Sequence, residues 1–406
     1  MSRSVSRIAR FFWSTPQGLL SIVIGLGVVC AAVLTRPAST AAQGGSCSPS
    51  FNIVVTFDNG ANWNLCWEER TKEGIVFRFV TYTPPGETAR QILFRANLAE
   101  VHVPYDLGTP RFFELSGAGL GGTHLYDLAP DDCPNGTLIS NGVKDVLCQT
   151  IEDRGYAYKD YALVAHGQEM SLHSVSTEGA YNYVIGWSFT DDGTIEPWLG
   201  FTGQLAVYTF DPSYGWPLGV GNTNYAANHF HNIWWRLDFD LGTAAGDVAE
   251  EIEFTSPDGD ASKRVIGVTA YTVETARQHS PETYRAWRVK DPTITNADGH
   301  PISYEIGTEA NHIFRGPATE PWTEYDFYVT QSRNCERYAA HNPPGGVNCA
   351  DNVLAFVNGE TVSDPVVWYG ATFHHLPRDE DEDVMPVHHH GFHIVPRDWT
   401  AVNPFP

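Results

Sequence analysis

Positive charge is scarce in this chain. Lys and Arg number 25 against 48 Asp and Glu, a formal net charge of −23. That balance argues against nucleic acid and anionic membranes as partners and favours cationic substrates. Cysteines at Cys-x-x-Cys spacing are absent, which excludes a zinc ribbon or a thioredoxin-like redox site. No His-Glu-x-x-His pattern occurs, so a zinc hydrolase built on that helix is excluded. Long helical periodicity is missing, and no internal repeat or long linker divides the chain. The apolar run from Leu19 to Leu34 is shorter than the roughly 20 residues that a membrane span requires.

Around that run the sequence has a recognisable form. Arg3, Arg7 and Arg10 precede it, and the small residues Ala38-Ser39-Thr40-Ala41-Ala42 follow. Residues 1–42 therefore read as a secretory signal peptide, or a signal anchor if uncleaved, which places the protein outside the cytoplasm, secreted or periplasmic. Cys30 falls within the leader. Six cysteines remain, an even count that favours disulfides in an oxidising compartment. Sequence leaves their connectivity open, and the simplest pairing is local: Cys47 with Cys66, Cys133 with Cys148, Cys335 with Cys349. From about residue 48 onward, short β-branched and aromatic runs such as Ile75–Tyr82 and Tyr183–Phe189 alternate with Gly, Pro, Asn and Asp. This predicts an all-β protein, a large β-sandwich, in one domain over residues 48–406.

The chemistry-bearing residues begin with His229-Phe230-His231 in an extended, aromatic segment. Histidines at i and i+2 leave the same face of a strand, and paired neutral imidazoles suit copper or zinc. A third candidate lies in Phe373-His374-His375-Leu376-Pro377-Arg378. Together with Arg236-Leu237-Asp238-Phe239-Asp240 and Glu380-Asp381 followed by Val384-Met385-Pro386, these segments resemble the catalytic domain of copper amine oxidases. The resemblance covers nearly all of residues 52–404. It implies the catalytic domain without the family's smaller N-terminal domains, and one copper held by His229, His231 and His375, with His374 outside the pattern.

The same resemblance implies a topaquinone made from Tyr181 in Thr177-Glu178-Gly179-Ala180-Tyr181-Asn182-Tyr183, where Ala180 and Asn182 depart from the family's Asn and acidic residue. A general base belongs at Glu114 in Phe112-Phe113-Glu114-Leu115, where relatives carry Asp. Tyr105, in Val103-Pro104-Tyr105, matches a tyrosine that hydrogen-bonds the quinone. Asp238, Asp240 and Asp364 match a peripheral calcium site, and hard carboxylate oxygens suit that ion. Dimerisation through hairpin arms is also implied, with arm sequence around residues 276–296. His388-His389-His390 and His393 read as a solvated strand. The expected function is the oxidation of a primary amine by oxygen to an aldehyde, ammonia and hydrogen peroxide. The alternative expectation is a non-catalytic copper-binding relative with an unmodified tyrosine, favoured by Ala180, Asn182 and Glu114.

Overall fold

The structure is a computed structural model that describes residues 47–405 apart from 208, 210, 243–245, 308–311 and 344–350. The leader assigned to residues 1–42 therefore lies outside the described residues. Among those described, strands dominate, and no helix is long and apolar enough to cross a membrane.

Two large antiparallel sheets of nine and eleven strands carry the fold, as the alternation of β-branched and aromatic runs predicts. Their inner faces meet through aromatic side chains. Trp63 of the nine-stranded sheet packs edge-on against Phe189 of the other at 5.1 Å, and Phe77 against Trp187 at 5.8 Å. Both sheets contribute to one continuous hydrophobic core. Full burial of such rings stabilises by about 1.5–3 kcal/mol each, which fixes strand register, because a one-residue slip would turn every ring outward.

At the centre of the nine-stranded sheet, the strand His229–Phe239 lies between Arg90–Pro104 and Pro365–His375. Its register with the latter sets His229 opposite His375 and Asp238 opposite Val366. In the eleven-stranded sheet, Leu163–Glu178 turns at Gly179-Ala180 into Tyr181–Thr190, which pairs with Ile195–Gly203. Gly203, opposite Tyr181, has φ +105°, and a Cβ there would stand 2.5 Å from the Ala180 carbonyl oxygen. Only glycine lets this turn close so tightly against the start of the Tyr181 strand.

The disulfides Cys47–Cys66 and Cys133–Cys148 form as expected. Cys335 is also disulfide-bonded, while Cys349 lies outside the described residues. The segment assigned to an arm behaves differently from expectation. Thr275–Arg277 joins the nine-stranded sheet beside Phe327–Gln331, whereas Ala286–Thr295 joins the eleven-stranded sheet, so residues 276–296 make no hairpin of their own. The hairpin at the sheet's edge is instead Val248–Thr255 with Val265–Ala270, whose second strand is exposed throughout.

Candidate metal centre and active site

His229 and His231 leave one face of their strand and point between the sheets, with His375 beside them on the neighbouring strand. All three are buried, and their ligand atoms lie within 4.8 Å of one another. Burial and the neighbouring histidines push all three below the usual imidazole range, His229 to about 3 and His231 well below, so the rings are neutral.

Their tautomers follow from their partners. His229 Nδ1 lies 2.9 Å from the Ala227 carbonyl oxygen and must donate to it, leaving a lone pair on Nε2. His375 Nε2 donates to Asp381 Oδ2 at 3.2 Å, leaving a lone pair on Nδ1. These two lone-pair nitrogens stand 3.3 Å apart. Both ring nitrogens of His231 are buried without a hydrogen-bond partner. The Tyr181 hydroxyl reaches the same point, 2.8 Å from His229 Nε2 and 3.0 Å from His375 Nδ1. One hydroxyl proton satisfies one of these acceptors and leaves the rest in want of a cation. Orphaned, converging neutral nitrogens are the donor set that a borderline transition metal takes.

Tyr105 is buried and stacks on His229, with ring centres 4.5 Å apart and planes 25° from parallel. Glu114 begins a short irregular helical turn, Glu114–Ala118. Its carboxylate accepts the Tyr183 hydroxyl at 3.3 Å. Burial, reinforced by repulsion from Glu178, pushes the Glu114 carboxyl up to about 8 against the Tyr183 hydrogen bond. Tyr105, Glu114, Tyr181 and Tyr183 line a small cavity of about 50 Å³ whose mouth carries Glu178 and Ala180. Beneath it lies a residue whose role the sequence did not reveal. Fully buried Glu100 accepts the backbone N–H groups of Leu115 at 3.0 Å and Ser116 at 3.3 Å, and so holds the turn that presents Glu114. Asn182, where relatives are acidic, accepts the Tyr126 hydroxyl at 3.0 Å.

The expected calcium residues lie at the other end of these strands. Asp238 Oδ2 is paired with Arg236 Nη1 at 2.9 Å, and Asp240 Oδ2 accepts from Gln91 at 2.6 Å. Asp364 sits beside them, its carboxyl pushed up to about 6 by burial and by Asp238. Among the described residues these three do not form a group with oxygens within 4.8 Å of one another. Buried oxygens without partners do remain there, on Asp240 and on Asp247.

The histidine-rich segment is a correction. Its strand, Met385–Gly391, pairs with Ile195–Gly203 so that His388 lies opposite the fully buried Phe201 and faces inward. His389 does lie exposed, as a solvated strand predicts. Five residues separate His375 from Asp381, and this loop lets Asp381 contact both His375 and His388.

The family described as "Copper amine oxidase, enzyme domain" matches residues 140–405, and the chain belongs to the copper amine oxidase family. Among curated relatives it is similar to a histamine oxidase from Arthrobacter globiformis, 26% identical over 88% of this chain and 58% of the relative. It is likewise similar to a peroxisomal copper-containing diamine oxidase from Nicotiana tabacum, 25% identical over 88% of this chain and 51% of the relative. The chain thus spans between half and three fifths of these relatives' length. In fold it is similar to a copper-containing benzylamine oxidase from Hansenula polymorpha, with a TM-score of 0.68, 21% identity, and coverage of 89% of this chain and 64% of that one. An Aspergillus nidulans amine oxidase gives a TM-score of 0.68 at 20% identity, covering 94% and 56%.

Proposed function

We propose that this protein is an exported primary-amine oxidase that uses copper and a topaquinone made from Tyr181. The observation that carries the reading is the convergence of lone pairs from neutral, buried His229 and His375 on the Tyr181 hydroxyl, beside an unpartnered His231. His229, His231 and His375 would hold the copper. When bound, the metal and the quinone supply oxygen chemistry and an electrophilic, two-electron sink for an amine.

The chain's own residues do the rest. Tyr105, stacked on His229, and Tyr183 confine the aromatic ring of Tyr181 between the sheets. Glu114 takes the proton from the carbon next to the amine nitrogen, and it must be ionised to do so. Burial in the small cavity keeps that carboxyl basic, and Glu100 keeps its backbone in place. With one water consumed to supply the aldehyde oxygen, the substrate leaves as an aldehyde and ammonia, and oxygen as hydrogen peroxide. At the far end of the same strands, Asp238, Asp240 and Asp364 would take calcium, whose charge would offset their mutual repulsion and satisfy the buried oxygen of Asp240. Dimerisation and the signal over residues 1–42 belong to the same proposal.

A second reading is favoured by Ala180, by Asn182 tied to Tyr126, and by a Glu114 whose carboxyl burial pushes up to about 8. It is a copper-binding relative whose Tyr181 stays unmodified. Copper-loaded, aerated protein distinguishes the two. The proposal expects colour, reaction with a hydrazine and amine-dependent hydrogen peroxide, all lost in Tyr181→Phe. A colourless, unreactive copper protein gives the second reading.

A further inference from the structure

The inward His388 is the one histidine of its run that reaches the metal centre, and no step above uses it. Its ring is held from the side by Phe373, 5.4 Å away and 30° from parallel. Phe373 is itself stacked on Phe201 at 5.1 Å. His388 Nε2 lies 3.0 Å from Asp381 Oδ1 and donates to it. The other carboxylate oxygen, Oδ2, accepts from His375 Nε2 at 3.2 Å and from the Arg378 backbone N–H at 3.0 Å. Asp381 is fully buried, so both oxygens depend on these donors.

The terminal torsion of an aspartate is soft, and one bonded oxygen leaves the carboxylate free to swing. Here a donor on each oxygen stops it. The fixed carboxylate then fixes the His375 ring and keeps its proton on Nε2, which leaves Nδ1 as the lone pair turned towards His229. The surroundings leave this job to His388. The Arg378 side chain reaches Asp381 Oδ1 only at 3.5 Å and is half exposed, whereas the side chain of His388 is 18% exposed and locked by stacking.

We propose that His388 is a positioning residue for the copper centre, acting through Asp381 to set the orientation and tautomer of His375. The inference rests on the copper reading above. Hydrogen-bond partners of ligating histidines are worth about 10–100-fold in metal affinity. His388→Phe keeps the stacking ring and removes the donor. His388→Gln loses the ring but keeps an N–H of similar reach.

The test measures copper affinity by chelator competition, the Cu(II) electron paramagnetic resonance spectrum, and the thermal midpoint of the metal-free chain. His388→Phe should bind copper about 10–100-fold more weakly with an altered spectrum, its metal-free midpoint close to wild type. His388→Gln should recover most of the affinity. Asp381→Asn probes the same pair from the other side and should resemble His388→Phe, which keeps the test open if that variant fails to fold. Wild-type affinity and spectrum in both His388→Phe and Asp381→Asn would overturn the inference while leaving the copper reading intact. So would a second copper per chain that disappears with His388, because His375, Asp381 and His388 would then be ligands themselves. A wild-type chain that binds no copper removes the copper reading, and this inference with it.

Discussion

The two ends of one strand pair make opposite use of the same geometry. At one end, His229–Phe239 and Pro365–His375 bring His229 and His375 into register, and three imidazoles converge. At the other end, where Asp238 faces Val366, the carboxylates of Asp238, Asp240 and Asp364 lie close enough to repel one another. The backbone ladder is equally regular at both. Charge makes the difference. Neutral imidazoles lose little by meeting in a dry site once their second nitrogens are satisfied, as Ala227 and Asp381 do for His229 and His375. Carboxylates repel, and burial together with Asp364 and Asp238 pushes the Asp240 carboxyl up to about 7. The histidine end thus gathers neutral donors suited to a soft metal, whereas the carboxylate end gathers charge that a hard cation would neutralise.

Removing a ligand at the histidine end should have the largest effect. His231→Ala is expected to abolish stoichiometric copper in elemental analysis, since it deletes a third of the protein donors, while Asp240→Asn leaves copper unchanged. Equal copper loss from both would end the distinction. Next comes the base. Glu114→Gln should lower kcat/KM about 10²–10⁴-fold with copper content intact, measured by peroxide release under amine saturation series. Wild-type turnover would assign the proton transfer elsewhere.

At the carboxylate end the effect is smaller and shows as stability. Calcium at about a hundred times its Kd adds about 2.7 kcal/mol to the folded state, so calcium should raise the unfolding midpoint of chelator-treated protein. Asp240→Asn should remove that rise, and an identical rise in the variant would place the ion elsewhere. The smallest effect concerns pH. Because the Glu114 carboxyl is raised to about 8, it is protonated, and idle as a base, below that pH, so kcat/KM should climb as pH rises through it. Glu178→Gln removes the repulsion that helps to raise it and should move this acidic limb to lower pH. Comparing both proteins with the same amine cancels the titration of the substrate.

Much of this was legible in residues whose pattern is local. The sandwich followed from alternating runs, and the shared face of His229 and His231 from their i, i+2 spacing on a strand. Cys47–Cys66 and Cys133–Cys148 followed from proximity in sequence. What depends on register across strands was not legible. His388 looked like its neighbour His389 until its pairing with Phe201 turned it inward. Glu100 gave no sign that it would be buried beneath Glu114, because the turn that it holds lies well beyond it in the chain. The arm expected at residues 276–296 failed for the same reason, its two strands joining different sheets.

On the proposed reading, the histidine end is built around Tyr181 so that the tyrosine can be converted. The most direct measurement is the mass of the peptide containing Tyr181 after the metal-free chain has been loaded with copper and exposed to oxygen. Tyr181 should gain two oxygen atoms and lose two hydrogens, a change absent when His231 is replaced by Ala. An unchanged tyrosine mass in fully copper-loaded, aerated protein would contradict it.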